Sequence, residues 1–96
     1  MHTITLDGKE YIIRCDLNVI EKIYGKYNNS LETFLESGIE GIKAAVAWMI
    51  NEHNIYIGNH ENVTPEWVGA RIIPHEYSKI AASVIACISD SITPKN

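Results

Sequence analysis

The sequence predicts an α+β fold that is mostly helical, with an N-terminal β-hairpin packed on a bundle of four to five short helices. The first observation is the pair Asp7-Gly8 between two apolar stretches, because this pair supplies the positive φ angles of tight hairpin turns. The second is that apolar residues from position 16 to 92 recur at three- and four-residue steps, interrupted by glycine, proline and capping residues. We expect one domain, with the hairpin in residues 1–15, the helical part in 16–92 and a frayed tail in 93–96.

Length and composition are those of one globular unit. The 96 residues suffice for a single core of moderate size. Hydrophobic residues make up 46% of the chain and charged residues 21%, a balance that argues against disorder over most of its length. On the first strand Ile4 and Leu6 alternate with threonines, so we expect the hairpin to rest one apolar face on the helices.

Two short helices follow the hairpin. Asp16 is placed to cap the first, and Gly25 to end it in the left-handed conformation. Ser30 and Gly38 frame the second in the same way. We expect the first helix to turn inward Leu17, Ile20, Ile23, Tyr24 and Tyr27, and the second to turn inward Leu31, Phe34 and Leu35.

The longest helical pattern lies in the middle of the chain and predicts the central helix of the core. Its inward residues are Ile39, Ile42, Val46, Met49, Ile50 and His53. Residues 54–63 lack this periodicity, so they predict a mobile loop with a brief extended piece at residues 55–57.

Two more helices complete the prediction. Thr64-Pro65-Glu66 combines a capping hydroxyl, a proline at the first helical position and an acid near the positive helix end. This helix should end near Ile73, because Pro74 disfavours helical geometry in the residue before it. The last helix should run from His75 to about Ile92, with an apolar stripe of Tyr77, Ile80, Ala81, Val84, Ile88 and Ile92 that Ile85 widens.

A set of short motifs carries a resemblance to a known family. They are Asp7-Gly8 in the hairpin turn, Asn-x-Ile-Glu-x-x-Tyr-Gly from Asn18 to Gly25, and Ser30-Leu31 at the start of the second helix. In this arrangement the chain resembles the tail assembly chaperones of tailed bacteriophages, prophages and gene transfer agents. The best match covers residues 4–47, with a weaker echo at 64–72, and the Asn- and His-rich segment 54–62 departs from the family pattern.

The resemblance implies a function and its partners. It implies a non-enzymatic protein of the bacterial cytoplasm that binds the tape measure protein and helps recruit tail-tube subunits. Such families often produce a short form and a longer frameshifted form. The matching positions imply roles in setting the fold and no chemistry; they are Asp7, Gly8, Asn18, Glu21, Tyr24, Gly25, Ser30 and Leu31.

Charge and hydropathy narrow the classes of partner. Eight Lys and Arg against twelve Asp and Glu give a net charge of −4 without a basic run, so we expect no nucleic-acid partner. Residues 64–78 superficially resemble a helix-turn-helix with few cations, which leaves a DNA-binding regulator as an alternative. The longest apolar runs fall short of the roughly 20 residues of a membrane span, and the N-terminus lacks a secretory signal, so we expect a cytoplasmic protein without a membrane partner.

The residues that could carry chemistry do not form a catalytic or metal-binding pattern. Four histidines stand at positions 2, 53, 60 and 75, and three of them adjoin a glutamate, but zinc ligands on a helix need steps of three or four. Cys15 and Cys87 lack a Cys-x-x-Cys spacing and predict reduced, inert thiols. The glycines are scattered and form no phosphate-binding loop. We therefore expect no enzyme, no metal and no cofactor.

Four large aromatic residues are the candidate protein-binding positions: Trp48, Tyr56, Trp67 and Tyr77. Each could instead pack in the core, since aromatic residues dominate burial in small domains. We expect the helical part to offer an apolar groove to amphipathic stretches of a client. A connector or tail-completion subunit stays an alternative, and the sequence leaves homo-oligomerisation open.

Overall fold

The N-terminal hairpin forms as predicted. The computed structural model describes residues 1–94, and in it strand β1 (His2–Leu6) pairs antiparallel with strand β2 (Lys9–Ile13), with His2 opposite Ile13. Asp7 and Gly8 adopt φ angles of 53° and 79°, the left-handed conformations of a tight two-residue turn. The turn chemistry therefore fixes the register of the two strands.

The apolar face of the hairpin lies on two helices, α3 (Ile39–Tyr56) and α5 (Tyr77–Ile92). β2 contacts α3 and β1 contacts α5, and the hairpin residues Ile4, Leu6 and Ile13 are buried between them. Beyond β2, the backbone N–H of Arg14 donates to the carbonyl of Met49 at 3.2 Å. The fold is therefore the expected α+β arrangement of a hairpin on a helical bundle.

Helix α1 (Leu17–Lys26) begins as predicted but ends later. Asp16 accepts a hydrogen bond from the Val19 N–H at 3.3 Å, which confirms its capping role. The prediction that Gly25 ends the helix in a left-handed conformation is wrong. The left-handed residues are Asn28 and Asn29, both at φ 56°, because the short polar side chain of asparagine tolerates this conformation.

The buried side of α1 differs from the predicted side. Val19, Ile23 and Tyr27, spaced four apart, form the buried row, while Leu17 and Tyr24 are exposed. Each residue turns a helix by roughly 100°, so this row lies off the centre of the predicted stripe. The reason lies in tertiary packing, because α1 contacts α3 and its buried residues are Val19 and Ile23.

Helix α2 (Leu31–Glu36) is short, and only one of its rows faces the core. Ser30 caps it by accepting from the Thr33 N–H at 3.2 Å, and Gly38 (φ 64°) stands beyond its end. Phe34 is buried and meets the Tyr27 ring edge to face at 5.4 Å. Leu35, predicted to point inward, is exposed, since six residues present a single row to the core.

Helix α3 is the centre of the core and is longer than predicted. It contacts α1, α5, β2 and helix α4 (Pro65–Gly69). The extended piece predicted at residues 55–57 is wrong, because the helix continues through Tyr56 until Gly58 adopts φ 79°. Ile39, predicted to point inward, is exposed because it opens the helix before the first buried turn.

The segment 57–64 after α3 is held by asparagine side chains. Asn51 donates to the Val63 carbonyl at 2.8 Å and accepts from the Val63 N–H at 2.7 Å. Asn54 donates to the Glu61 carbonyl at 3.2 Å. These side chains replace the backbone partners that a helix or strand would supply.

The last helices follow the predicted order with shorter bounds. Thr64 caps α4, which ends at Gly69 rather than near Ile73 because its last residues form tighter turns. A 3-10 turn (Pro74–Glu76) precedes α5, whose Ile80, Val84, Cys87 and Ile88 are buried. Residues 93–96 were predicted to fray; Thr93 donates twice to the Ser89 carbonyl, and residues 95–96 lie outside the described residues.

Candidate protein-binding site

The four predicted aromatic residues lie in four separate places. Trp48 is half-buried against the core, with the Lys26 Nζ 6.0 Å from its ring. Tyr56 is 68% exposed, and the Arg14 guanidinium lies 3.8 Å from its ring centre. The structure does not bring these two together with the other pair.

The other two aromatic residues, Trp67 and Tyr77, are half-buried and have different neighbours. Trp67 meets Tyr11 edge to face at 5.7 Å, and the Arg71 guanidinium lies 4.0 Å from the Trp67 ring centre. Tyr77 borders a shallow depression with Ile39 and Ile72. Each aromatic side chain is therefore engaged with its own neighbours.

The residues that the resemblance assigned to the fold fall into three groups: the hairpin turn and the start of α2, one contact between helices, and the outer side of α1. Asn18 donates from Nδ2 to Glu52 Oε1 at 2.8 Å, joining α1 to α3 at a carboxylate that is only 7% exposed. Glu21, Tyr24 and Gly25 lie on the outer side of α1, where they border a shallow depression. Of this helical set, Asn18 alone makes a polar contact between two helices among the described residues.

An apolar groove lies between α2 and α5, at a place in the helical part that the sequence did not specify. It encloses about 150 Å³, and we call it the α2–α5 groove. Ser89 lies among its lining residues, and the rest of the lining is apolar: Leu31, Phe34, Leu35, Ile85, Ile88 and Ile92. The sequence assigned all six to the core, because periodicity marks which residues are apolar and not which of them other elements cover.

Three residues of the α2–α5 groove face solvent. Leu35 is 53% exposed, Ile85 42% and Ile92 48%, whereas Phe34 and Ile88 form the buried floor. Adjacent exposed apolar side chains of this kind are typical of surfaces that bind other proteins. The groove therefore joins a buried apolar floor to an accessible apolar rim.

Two glutamates of α2 lie outside the lining of the groove. Glu32 and Glu36 are exposed and four residues apart, each one position after a groove residue, Leu31 or Leu35. Within residues 1–94 the ion pairs are His2–Asp90, Arg14–Asp16 and Lys26–Glu40, so neither glutamate has an ion-pair partner there.

A second polar cluster links α1 to α3 away from the groove. Lys26 Nζ lies 2.9 Å from Glu40 Oε1, and the Tyr27 hydroxyl donates to the same oxygen at 2.9 Å. The Lys26 contact holds the pKa of Glu40 below its usual value, and Glu40 in turn raises the pKa of Lys26. The cluster has an evident structural role in joining the two helices.

Both thiols are held in the neutral form. Cys87 donates to the Ile13 carbonyl at 3.9 Å, and burial raises its pKa to about 11. Cys15 accepts from the Ser91 hydroxyl at 3.3 Å, and burial raises its pKa as well. A thiol of this kind is a poor nucleophile at neutral pH. In the described part of the chain, no three His, Cys, Asp or Glu side chains group so as to hold a metal ion.

Comparison with known proteins leaves the functional argument to the chain itself. No protein-family model, curated protein or solved structure matches it. Over residues 1–94, no helix combines the length and apolar character needed to cross a membrane.

Proposed function

We propose that this protein is a non-enzymatic tail assembly chaperone of a phage or prophage. It binds helical segments of the tape measure protein in the α2–α5 groove and helps recruit tail-tube subunits in the cytoplasm of the bacterial host. The observation that carries the proposal is the groove itself, with six apolar lining residues of which three are about half exposed. The sequence motifs from Asp7 to Leu31 supply the identity of the client.

The shape of the groove favours a helix as the bound element. Two helices form its walls, and an amphipathic helix lies in such a groove by inserting side chains spaced three or four residues apart. An extended strand would need an open sheet edge beside it, and the residues that line this groove are all on helices. The groove therefore fits the apolar stripe of a long helical client.

The exposed apolar area supports weak binding at each site. Covering the exposed halves of Leu35, Ile85 and Ile92 contributes on the order of 1 kcal/mol each, before the cost of association. A chaperone must be displaced when tube subunits assemble, so weak contacts repeated along one client suit the task. The affinity expected from the groove thus agrees with a transient role.

The proposal is tested by co-expression with fragments of the tape measure protein from the same genome. We expect the wild-type protein to increase the soluble fraction of at least one fragment and to co-purify with it. Leu35→Asp should abolish both effects, because it places a charge in the groove. Ile55→Asp is the matched control, since Ile55 is exposed at the end of α3 and does not line the groove.

The outcomes separate the proposal from its rivals. Loss of solubilisation in Leu35→Asp but not in Ile55→Asp supports the groove. Equal activity of both variants, or no effect of the wild-type protein on any fragment, contradicts the proposal. Retention on duplex DNA that weakens steeply with salt would instead favour the DNA-binding alternative, and incorporation into finished particles would favour a connector or tail-completion subunit.

A further inference from the structure

We infer that Cys15 and Cys87 are a disulfide-forming pair, which glutathione disulfide oxidises to a bond between the end of the hairpin and α5. They are the two cysteines of the chain, and both thiols are free in the structure. The inference does not depend on the proposed function, because neither cysteine lines the α2–α5 groove.

The fold brings the two cysteines together although they lie far apart in the sequence. Cys15 follows the end of β2 by two residues, and Cys87 lies on the buried side of α5. The Cys87 thiol donates to the Ile13 carbonyl at 3.9 Å, and the backbone N–H of Cys15 faces the Cys87 sulfur. The Cys15 sulfur accepts at 3.3 Å from the hydroxyl of Ser91, one helical turn after Cys87. Each sulfur therefore lies against the segment of chain that carries the other.

The two thiols also share one cavity and influence each other electrostatically. Both line a cleft of about 550 Å³, which Arg14, His53 and Tyr56 border as well. Burial has the largest effect on the pKa of Cys87 and raises it, and the charge of a Cys15 thiolate raises it further. One thiol affects the pKa of another only when the two are near each other. A disulfide removes both ionisable groups and therefore this opposition.

The exposure of the two thiols sets the order of the reaction. Cys15 is partly exposed and Cys87 only 4% exposed, so glutathione disulfide meets Cys15 first. The Cys15 thiolate attacks one sulfur of the reagent, the reagent's S–S bond breaks, and one glutathione leaves as a thiolate that takes up a proton. The Cys87 thiolate then attacks the Cys15 sulfur, forms the internal bond and displaces the second glutathione. In total the two protein thiols lose two electrons and two protons, which reduce the reagent to two glutathione thiols.

The internal bond changes the stability of the protein. It closes a loop of roughly 70 residues and thereby restricts the unfolded chain more than the folded one. A cell whose glutathione is reduced keeps the pair as thiols, and a more oxidising environment favours the bond. The oxidised protein is therefore the more stable of the two forms.

Equilibration of the folded full-length protein with mixtures of glutathione and glutathione disulfide tests the inference. Acid quenching, alkylation of the remaining thiols and mass spectrometry of peptides measure how much of the protein carries the internal bond. We expect the linked Cys15 and Cys87 peptides to be the main product. The oxidised protein should melt about 10 °C or more above the reduced protein.

The same equilibrium in urea supplies the unfolded reference. Folding and oxidation form a thermodynamic cycle, so a bond that stabilises the fold also forms more readily in the folded state. The effective concentration of the two thiols should therefore be higher in the folded protein than in urea, by about tenfold or more.

Two single substitutions are the controls. Cys87→Ser should stop at a mixed disulfide between Cys15 and glutathione, because the second attacking thiol is missing. Cys15→Ser keeps the buried thiol and should react slowly with the reagent, because Cys87 is only 4% exposed. Neither variant should melt at a higher temperature after the oxidising treatment.

Three results would overturn the inference: only mixed disulfides and linked dimers form, the effective concentration in the folded protein is no higher than in urea, or the internal bond lowers the melting temperature. Any of them would show that the folded protein holds the two sulfurs apart. The co-expression test of the α2–α5 groove is independent of these measurements, so failure of the inference and failure of the proposed function are distinguishable.

Discussion

At the scale of single residues, the hydrogen bond from Asn18 to Glu52 joins α1 to α3, and the sequence motif that contains Asn18 does not reveal this contact. Asn18 was placed in a family motif without a partner, and the structure shows its amide donating to the buried carboxylate of Glu52. A pattern on one helix cannot name a partner 34 positions later. The role of Asn18 was therefore predicted as structural, but its mechanism was not.

Asn18→Ala tests this contact. The substitution leaves the Glu52 carboxylate without the donor from α1, which should lower the free energy of unfolding by about 1–2 kcal/mol. Urea denaturation measures the change. Glu21→Ala on the outer side of the same helix is the control and should stay within about 0.5 kcal/mol of the wild-type protein. A wild-type stability in Asn18→Ala would show that the contact contributes nothing.

The buried thiol of Cys87 predicts a loss of stability in alkali. The pKa of Cys87 is about 11 in the folded protein and near the ordinary thiol value of 9.0 in the unfolded chain. Between these values the unfolded state gives up its proton first, so stability is complete below about pH 9 and is lost as pH rises toward about pH 11. The pKa of Tyr27 is also raised by burial, so it adds to the loss at the upper end.

Urea unfolding across this pH range measures the effect. Cys87→Ala should reduce the slope of unfolding free energy against pH, while the contribution of Tyr27 remains. A slope identical to that of the wild-type protein would contradict the assignment to Cys87.

At the scale of elements, local chemistry predicted where helices begin better than where they end or which side they bury. Asp16, Ser30 and Thr64 cap helices as predicted, since a capping side chain acts on amides only two or three residues away. The ends of the helices were harder to predict. Gly25 and Asn28 both permit the left-handed conformation that ends a helix, and the structure uses Asn28. Element starts are therefore local properties and element ends are not.

The buried sides of the helices depend on neighbours far along the chain. Leu17 and Leu35 belong to apolar stripes, but no element covers them, so they are exposed. Four of the six inward residues predicted for the central helix are buried, because α1, α4, α5 and β2 pack against it. Periodicity thus identifies the core reliably only where several elements enclose a helix.

The close approach of α2 and α3 predicts opposite effects for two glycine substitutions. A Cβ on Gly41 would overlap the Ser37 side chain and lie 3.1 Å from the Phe34 carbonyl, whereas a Cβ on Gly25 would meet nothing within 4 Å. Gly41→Ala should therefore destabilise the protein by about 1–3 kcal/mol. Gly25→Ala should stabilise it by about 0.5–1 kcal/mol, since α1 is helical there.

Thermal unfolding of both glycine variants checks the packing of α2 on α3. A stable Gly41→Ala variant would place α2 further from α3 than the structure does. The Gly25 variant serves as the control for helix propensity alone.

At the scale of the whole molecule, neighbouring residues of α5 serve the core and the groove separately. Val84 is buried in the core, and Ile85 beside it lines the α2–α5 groove. The sequence could not separate these purposes, because a groove exists only where two elements leave a surface uncovered in three dimensions. The same limit explains why the four aromatic candidates were chosen for size and not for position.

Substitutions at these two residues should separate stability from binding. Val84→Ala should cost about 1–3 kcal/mol of unfolding free energy and leave the affinity for a client helix unchanged. Ile85→Gln should stay within about 1 kcal/mol in stability and weaken the client complex. Calorimetry of unfolding and anisotropy of binding give the two quantities. If the affinity for the client falls in proportion to the loss of unfolding free energy in both variants, the groove has no binding role separate from stability.

The measurement that tests the central claim most directly is a methyl NMR titration of the isotope-labelled protein with a helical fragment of the tape measure protein. We expect the largest shifts to cluster at Leu31, Leu35, Ile85, Ile88 and Ile92, while the exposed methyl groups of Leu17 and Ile55 stay unchanged. Shifts centred on Leu17 or Ile55, or no shifts at saturating fragment, would contradict the claim that the α2–α5 groove is the client site.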